Sequence, residues 1–202
     1  MKSVILTGID STGKSTLAQS ISSSFKNVFF RKYPFDEEIK GHINGYYNRL
    51  VNSGRELHED AITNMYRQIH DLYDRDFRQP FTIPSGTELL LFDRYFIDNV
   101  VHSRMNAVEK QFYGENHYVV PDLVILLKVK NYTDYKKTFK LKGDENIREP
   151  AILFHEVQPT YQDVLKELHD NKKIKRYTVV DALTKNTESE VKEIIKNLLS
   201  SS

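Results

Sequence analysis

Apolar residues along the chain alternate between two periods. Five short runs are rich in Val, Ile, Leu, Phe or Tyr: Ser3–Thr7, Val28–Tyr33, Leu89–Phe92, Leu123–Val129 and Arg176–Val180. Each has strand length, and several lack the in/out alternation of a half-exposed sheet, as strands buried on both faces do. Longer stretches between them carry apolar positions at steps of three and four. Glu38–Asn52 places Ile39, Ile43, Tyr46, Tyr47 and Leu50 on one face, and Asp60–Phe77 does the same with Ile62, Met65, Tyr66, Ile69 and Tyr73. Lys14–Ser24, Pro150–Asp170 and Glu188–Leu199 complete the predicted helices. Strand–helix alternation predicts an α/β fold of three layers, a five-stranded parallel sheet with crossover helices on both faces. Lys136–Glu149 is dense in charge and fits neither period, so it reads as a mobile insert in a single domain spanning residues 1–202.

Composition narrows the class. The 39% hydrophobic and 28% charged content of 202 residues suits one folded domain with a true core, and excludes disordered and collagen-like chains. No apolar run approaches the roughly 20 residues of a membrane helix. The sequence opens directly on a strand pattern with no secretory leader, and it contains no cysteine. These features predict a cytoplasmic protein without disulfides or thiolate metal sites. A net charge of +1 predicts no broad attraction to nucleic acid or membrane.

The strongest chemical signal is Gly8-Ile9-Asp10-Ser11-Thr12-Gly13-Lys14-Ser15-Thr16. It satisfies G-x-x-x-x-G-K-[S/T] and lies where that motif functions, between a buried strand and the start of a helix. Glycines let successive N–H groups turn inward on phosphate oxygens, and the helix N-terminus adds partial positive charge. Lys14 then reaches the β and γ phosphates, and the Ser15 hydroxyl is placed to ligate Mg²⁺. The chain is therefore expected to bind a nucleoside triphosphate through Gly8, Asp10, Ser11, Thr12, Gly13, Lys14, Ser15 and Thr16. Neither Asn131-Tyr132-Thr133-Asp134 nor Thr184-Lys185-Asn186 supplies the N-K-x-D that a guanine site would need. A small-molecule kinase, with a second phosphate site and a water-excluding lid, fits the remaining motifs.

Those motifs resemble, in order, the thymidylate kinases and their deoxynucleoside monophosphate kinase relatives. Tyr33-Pro34 followed by Ile39-Lys40-Gly41 is similar to F-P-x-x-x-x-I-G; Phe92-Asp93-Arg94-Tyr95 resembles D-R-[YHS]; Pro121-Asp122-Leu123 resembles P-D-L; and Val180-Asp181-Ala182 resembles the closing [IV]-D-A. The resemblance implies a P-loop NTPase fold with a lid at about 136–149, a homodimer, and transfer of the ATP γ-phosphoryl group to dTMP. A broader deoxynucleoside monophosphate kinase or a deoxynucleoside kinase of the same fold is the alternative; a nucleotide-binding module without turnover is the reading from another class.

The resemblance also implies roles. Asp10 would meet the 3′-hydroxyl of the acceptor sugar, Asp93 would orient Lys14 or Mg²⁺, Arg94 would hold the acceptor phosphate, and Ala182 would flank adenine. Tyr33 and Pro34 would border the acceptor. Tyr66 takes the aromatic position that stacks on the base. The hydrogen-bonding position one turn on falls at His70 by one count and at Arg75 by another. Ser11-Thr12 lacks the transition-state arginine of some relatives, so the lid is expected to supply a cation, with Arg148 the candidate and Lys137, Lys140 and Lys142 alternates. Three departures stand out. Asp36 lies where an arginine often touches the acceptor phosphate, Asp98 where serine is frequent, and His102 where an aromatic is common. Asp98 enters the acceptor site as an unexpected acid.

Overall fold

The computed structural model describes residues 1–52, 58–78, 81–106, 119–140 and 149–201. Its sheet contains β1 (Lys2–Thr7), β2 (Val28–Lys32), β3 (Leu89–Asp93), β4 (Leu123–Lys128) and β5 (Tyr177–Asp181). The spatial order is β2-β3-β1-β4-β5 and every pairing is parallel. β1 is central, so the chain leaving it emerges where the strand order reverses, the crevice in which open α/β sheets bind ligands.

The helices are α1 (Lys14–Ser24), α2 (Glu37–Asn52), α3 (Glu59–Arg78), α4 (Phe96–Met105), α5 (Tyr132–Lys140), α6 (Pro150–Ile152), α7 (Gln158–Asp170) and α8 (Thr187–Ser200). Strand alternation divides the core in two. Val4, Leu6, Leu89, Leu91, Ile125 and Leu127 face Leu17 and Ile21 of α1 and Val191 and Ile195 of α8. On the other face Ile5, Leu90, Phe92, Val124 and Leu126 meet Val100 and Val101 of α4 and Tyr161, Val164 and Leu165 of α7. A smaller cluster of Ile39, Ile43 and Ile69 joins α2 to α3.

Strand ends differ from the sequence reading by a residue or two, the usual fraying of boundaries. The larger differences have physical causes. α4 is absent from the predicted helices because Phe96 through Val101 and Ser103 are all buried, which erases the amphipathic period. The charged insert predicted from Lys136 begins as part of α5, which is pinned to the body by the fully buried Tyr135. Residues 141–148, the rest of that insert, lie outside the described residues. Pro150–Asp170 is not one regular helix: a π-helical turn, Leu153–Val157, separates α6 from α7, an irregularity frequent at functional sites.

Two residues show how the sheet fixes the loop. Gly8 has φ 134°, and a Cβ there would stand 2.5 Å from the Leu127 carbonyl oxygen, so β4 leaves room only for glycine. Asp122 accepts hydrogen bonds from the Ser3 N–H (2.8 Å) and Ser3 Oγ (3.0 Å) and from Lys175 Nζ (2.6 Å), tying the start of β4 to the start of β1. The P-D-L string is thus a structural clamp at the sheet's far end.

Candidate active site

The loop between β1 and α1 is built from backbone. Ser11 is left-handed at φ 63° and Gly13, at φ 83°, is the N-cap of α1. These turns wrap the chain around the Lys14 ammonium, which donates to the Gly8 carbonyl (2.7 Å), the Ile9 carbonyl (2.6 Å) and Thr12 Oγ1 (3.3 Å). Thr12 in turn donates to the Ile9 carbonyl at 2.9 Å. Burial and the neighbouring Arg94 guanidinium push the Lys14 ammonium down to about 8, against the pull of Asp10. The Ser11 hydroxyl oxygen is buried with no hydrogen-bond partner. No acidic residue occupies the first turn of α1, so its positive end is uncompensated. Thr16 lies on the exposed side of that turn.

At the end of β3, Asp93 Oδ2 accepts the Ser15 hydroxyl at 2.6 Å, and Asp93 Oδ1 is buried without a hydrogen-bond partner. A hydroxyl beside a carboxylate with an unused oxygen is a hard, all-oxygen donor set of the kind Mg²⁺ prefers. Among the described residues no group of three or more His, Cys, Asp or Glu side chains forms a metal cage. That fits an ion held by one or two protein oxygens together with substrate phosphates.

The next residue, Arg94, adopts φ 68°, a left-handed backbone that costs a non-glycine residue of order 1–3 kcal/mol and clusters at functional sites. This turn is held by the Arg94 N–H to the Leu6 carbonyl (3.0 Å) and by the Tyr33 N–H to the Asp93 carbonyl (2.9 Å). Arg94 pairs with Asp10 and lies 3.5 Å from Asp98 Oδ1. Burial pushes the Asp10 carboxyl up, but Arg94 and Lys14 together hold it well below the usual carboxylate range. Burial opposes the charge on Arg94, and its two carboxylates more than restore it.

Asp98 is nearly inaccessible. It accepts hydrogen bonds from Thr7 Oγ1 (2.9 Å) and the Tyr161 hydroxyl (2.7 Å). Burial nevertheless raises its carboxyl, with Arg94 and Lys14 opposing the rise. The acid that stood out in the sequence is therefore the post beneath Arg94, joining β1, α4 and α7.

Beside this group opens a cavity of about 400 Å³ whose walls include Asp10, Tyr33, Pro34, Tyr66, Arg94, Asp98 and His102. The structure brings together here most of the acceptor residues named from sequence. His70 and Arg75 are not among its lining residues. His70 is fully buried behind α4, with Nδ1 2.6 Å from Asn99 Oδ1 and Nε2 3.2 Å from Asn106 Nδ2, while Arg75 is exposed. Asp36 also turns away from an anionic ligand. Its Oδ1 accepts from the Glu38 N–H (2.9 Å) and the Ile39 N–H (3.0 Å), capping α2. Ala182 donates its N–H to the Lys128 carbonyl at 2.8 Å, closing the turn after β5. Arg148 and Lys142 lie outside the described residues, and Lys137 is exposed and pairs with Asp134 at 3.3 Å.

Several participants escaped the sequence reading. Lys32, Asn44, Tyr47, Tyr73, Asn99 and Leu153 complete the cavity wall. Asp76, fully buried on α3, accepts the N–H groups of Phe35 and Asp36, both at 2.7 Å, and so holds the turn after Pro34. Tyr135 of α5 donates its hydroxyl to the Asp10 carbonyl at 2.9 Å, linking α5 to the loop after β1. Only the spacing of Tyr66, Tyr73 and Asp76 on one helix hinted at any of this. No local string marks the others.

The sequence model of the thymidylate kinase family matches residues 6–195. A probable thymidylate kinase from Sulfurisphaera tokodaii is 25% identical over 184 residues, covering 88% of this chain and 86% of that protein. A thymidylate kinase from Helicobacter hepaticus is 24% identical over 185 residues, with 89% of each covered. Among solved structures, thymidylate kinase from Candida albicans aligns with a TM-score of 0.65 at 19% identity, over 98% of this chain and 92% of that one. Deoxyadenosine kinase from M. mycoides aligns with a TM-score of 0.59 at 20% identity, over 99% and 100%. At these identities the structural likeness is one of fold.

Proposed function

Because this chain belongs to the thymidylate kinase family, we propose that it phosphorylates dTMP to dTDP with ATP and Mg²⁺. Kinase chemistry on a nucleoside monophosphate, with ATP as phosphate donor, follows from the family; the choice of base and the metal are the proposal. The observation that carries it is the meeting of two half-sites at Asp93-Arg94, a backbone-lined phosphate loop on one side and the cavity on the other.

In this reading the ATP phosphates lie along the loop's N–H groups, with Lys14 across the β and γ phosphates. Ser15 and Asp93 would hold Mg²⁺, and the ion would offset charge on the phosphate oxygens. Arg94, pre-aimed by Asp10 and Asp98, orients the acceptor phosphate. An oxygen of that phosphate attacks the γ-phosphorus in line, the bond to the β-phosphate oxygen breaks, and ADP leaves. A nucleotide monophosphate is already largely ionised at pH 7, with a second pKa of about 6, so the attack needs no general base. Positioning and charge are what the protein contributes. Tyr66 and Tyr73 offer the base aromatic faces within the cavity. A lid cation, Arg148 in the sequence reading, would complete the shell around the transferring group. The same reading takes the enzyme as a cytoplasmic homodimer that acts on free nucleotides, without nucleic acid or membrane. Among the described residues no helix is long and apolar enough to cross a membrane.

The test is kcat/KM for each nucleoside monophosphate and deoxynucleoside monophosphate at saturating ATP, with and without Mg²⁺. A clear preference for dTMP that requires the metal supports the proposal. Comparable rates with several bases would move it to a broad deoxynucleoside monophosphate kinase, and turnover of nucleosides alone would contradict it.

A further inference from the structure

We infer that Lys32 binds the 5′-phosphate of the acceptor nucleotide, sharing with Arg94 a subsite to which no motif in the sequence assigned it. The inference rests on the monophosphate kinase reading above and concerns how that acceptor is held.

A phosphate close to dianionic at neutral pH must enter a cavity that already contains the carboxylates of Asp10 and Asp98. Arg94 contacts both of them, so much of its charge is already offset before any phosphate arrives. Lys32 is the other lysine or arginine side chain on the wall. It is exposed, and no carboxylate lies within ion-pair distance of it among the described residues. Its charge is available to an incoming anion.

Sheet register gives the direction. In β2 and β3, Phe30 pairs with Leu91 and both pack on the α1 side; Arg31 pairs with Phe92, and both belong to the opposite face. Lys32 pairs with Asp93, so it leaves the sheet on the α1 side, where Asp93 meets Ser15. The strand end is fixed there by the Tyr33 N–H bond to the Asp93 carbonyl at 2.9 Å. Lys32 and Arg94 line the same cavity, and the register sets Lys32 next to Asp93, which meets the donor loop through Ser15. Asp36 cannot supply this contact, being an acid committed to the N-terminus of α2.

Calorimetric titration of dTMP and of thymidine into wild type, Lys32→Ala, Lys32→Arg and Lys196→Ala tests the assignment, with steady-state kinetics alongside. Lys196, exposed on α8, controls for loss of a surface charge. Lys32→Ala is expected to weaken dTMP about 10- to 100-fold, the range of one charge-assisted hydrogen bond. It should leave thymidine binding and the KM for ATP unchanged. Lys32→Arg should restore most of the loss, and Lys196→Ala should change nothing. Equal weakening of dTMP and thymidine, no weakening of either, or a fall in kcat with dTMP binding intact would each overturn the assignment. The last would place the ammonium on the transferring group instead. A wild type that binds dTMP no better than thymidine overturns the subsite outright. Tight dTMP binding without dTDP formation overturns the proposed activity and leaves the subsite standing.

Discussion

The two half-sites of the proposed enzyme are made of different material. The donor side is backbone: left-handed Ser11 and Gly13, a glycine pressed against Leu127, and the open positive end of α1. The acceptor side is assembled from side chains on β2, α2, α3, α4 and the π-helical turn. A triphosphate offers the same charged oxygens whatever the base, so repeated N–H groups suffice to bind it. An acceptor must be chosen for its sugar and base, which takes shaped and replaceable side chains. One half is therefore a short string, and the other is a surface that exists only once five elements have packed.

Substitutions can break this contrast. The largest effect expected is from Lys14→Ala. It removes the ammonium that spans the loop, and kcat should fall by about 10²–10³-fold or more with the fold intact, as measured by steady-state turnover and circular dichroism. Gly8→Ala attacks the backbone half directly. A methyl group against the Leu127 carbonyl at positive φ should cost about 3 kcal/mol in denaturant unfolding and disrupt ATP binding together with stability. On the side-chain half, Asp36→Ala should cost about 1 kcal/mol through loss of the α2 cap. The KM for the acceptor should be unchanged or slightly lower, since a negative charge is removed near an anion. A rise in acceptor KM would mean that Asp36 touches the substrate.

Asp122→Asn gives the smallest effect and is remote from both half-sites. Burial tends to raise the Asp122 carboxyl, but its hydrogen bonds from Lys175 and Ser3 hold it below its ordinary value. The folded state therefore favours the ionised form. The associated stability is fully present above the unfolded-state value near 4 and is lost as pH falls through the lower folded-state value. Unfolding curves of wild type and Asp122→Asn measured between about pH 2 and 6 should converge toward the acidic end, and turnover at neutral pH should be unaltered. Parallel curves would mean that the clamp contributes packing alone.

The same contrast explains what could be read from the sequence. The five strands were legible because each centres on a run rich in Val, Ile, Leu, Phe or Tyr, and the phosphate loop because its residues are neighbours in the chain. α4 was hidden because Phe96 through Val101 are all buried, which erases the amphipathic period. His70 sat at a plausible helical step, but a step of four fixes only a helix face, and the orientation of α3 turns that residue toward Asn99 and Asn106. Asp98 could be seen to be unusual but not to be a post, since Thr7 and Tyr161, 91 and 63 residues away, supply its partners. Asp36 was read as a charge near an anion, whereas the N–H groups of Glu38 and Ile39 make it a cap. Long-range partners decide such roles, and they come from tertiary packing rather than spacing.

The division into two half-sites is tested most directly by separate calorimetric titrations of a non-hydrolysable ATP analogue and of dTMP into wild type, Lys14→Ala and Arg94→Gln. Lys14→Ala should lose the ATP analogue and retain dTMP, while Arg94→Gln should lose dTMP and retain the analogue. Loss of dTMP in Lys14→Ala, or of the analogue in Arg94→Gln, with both variants folded, would contradict it.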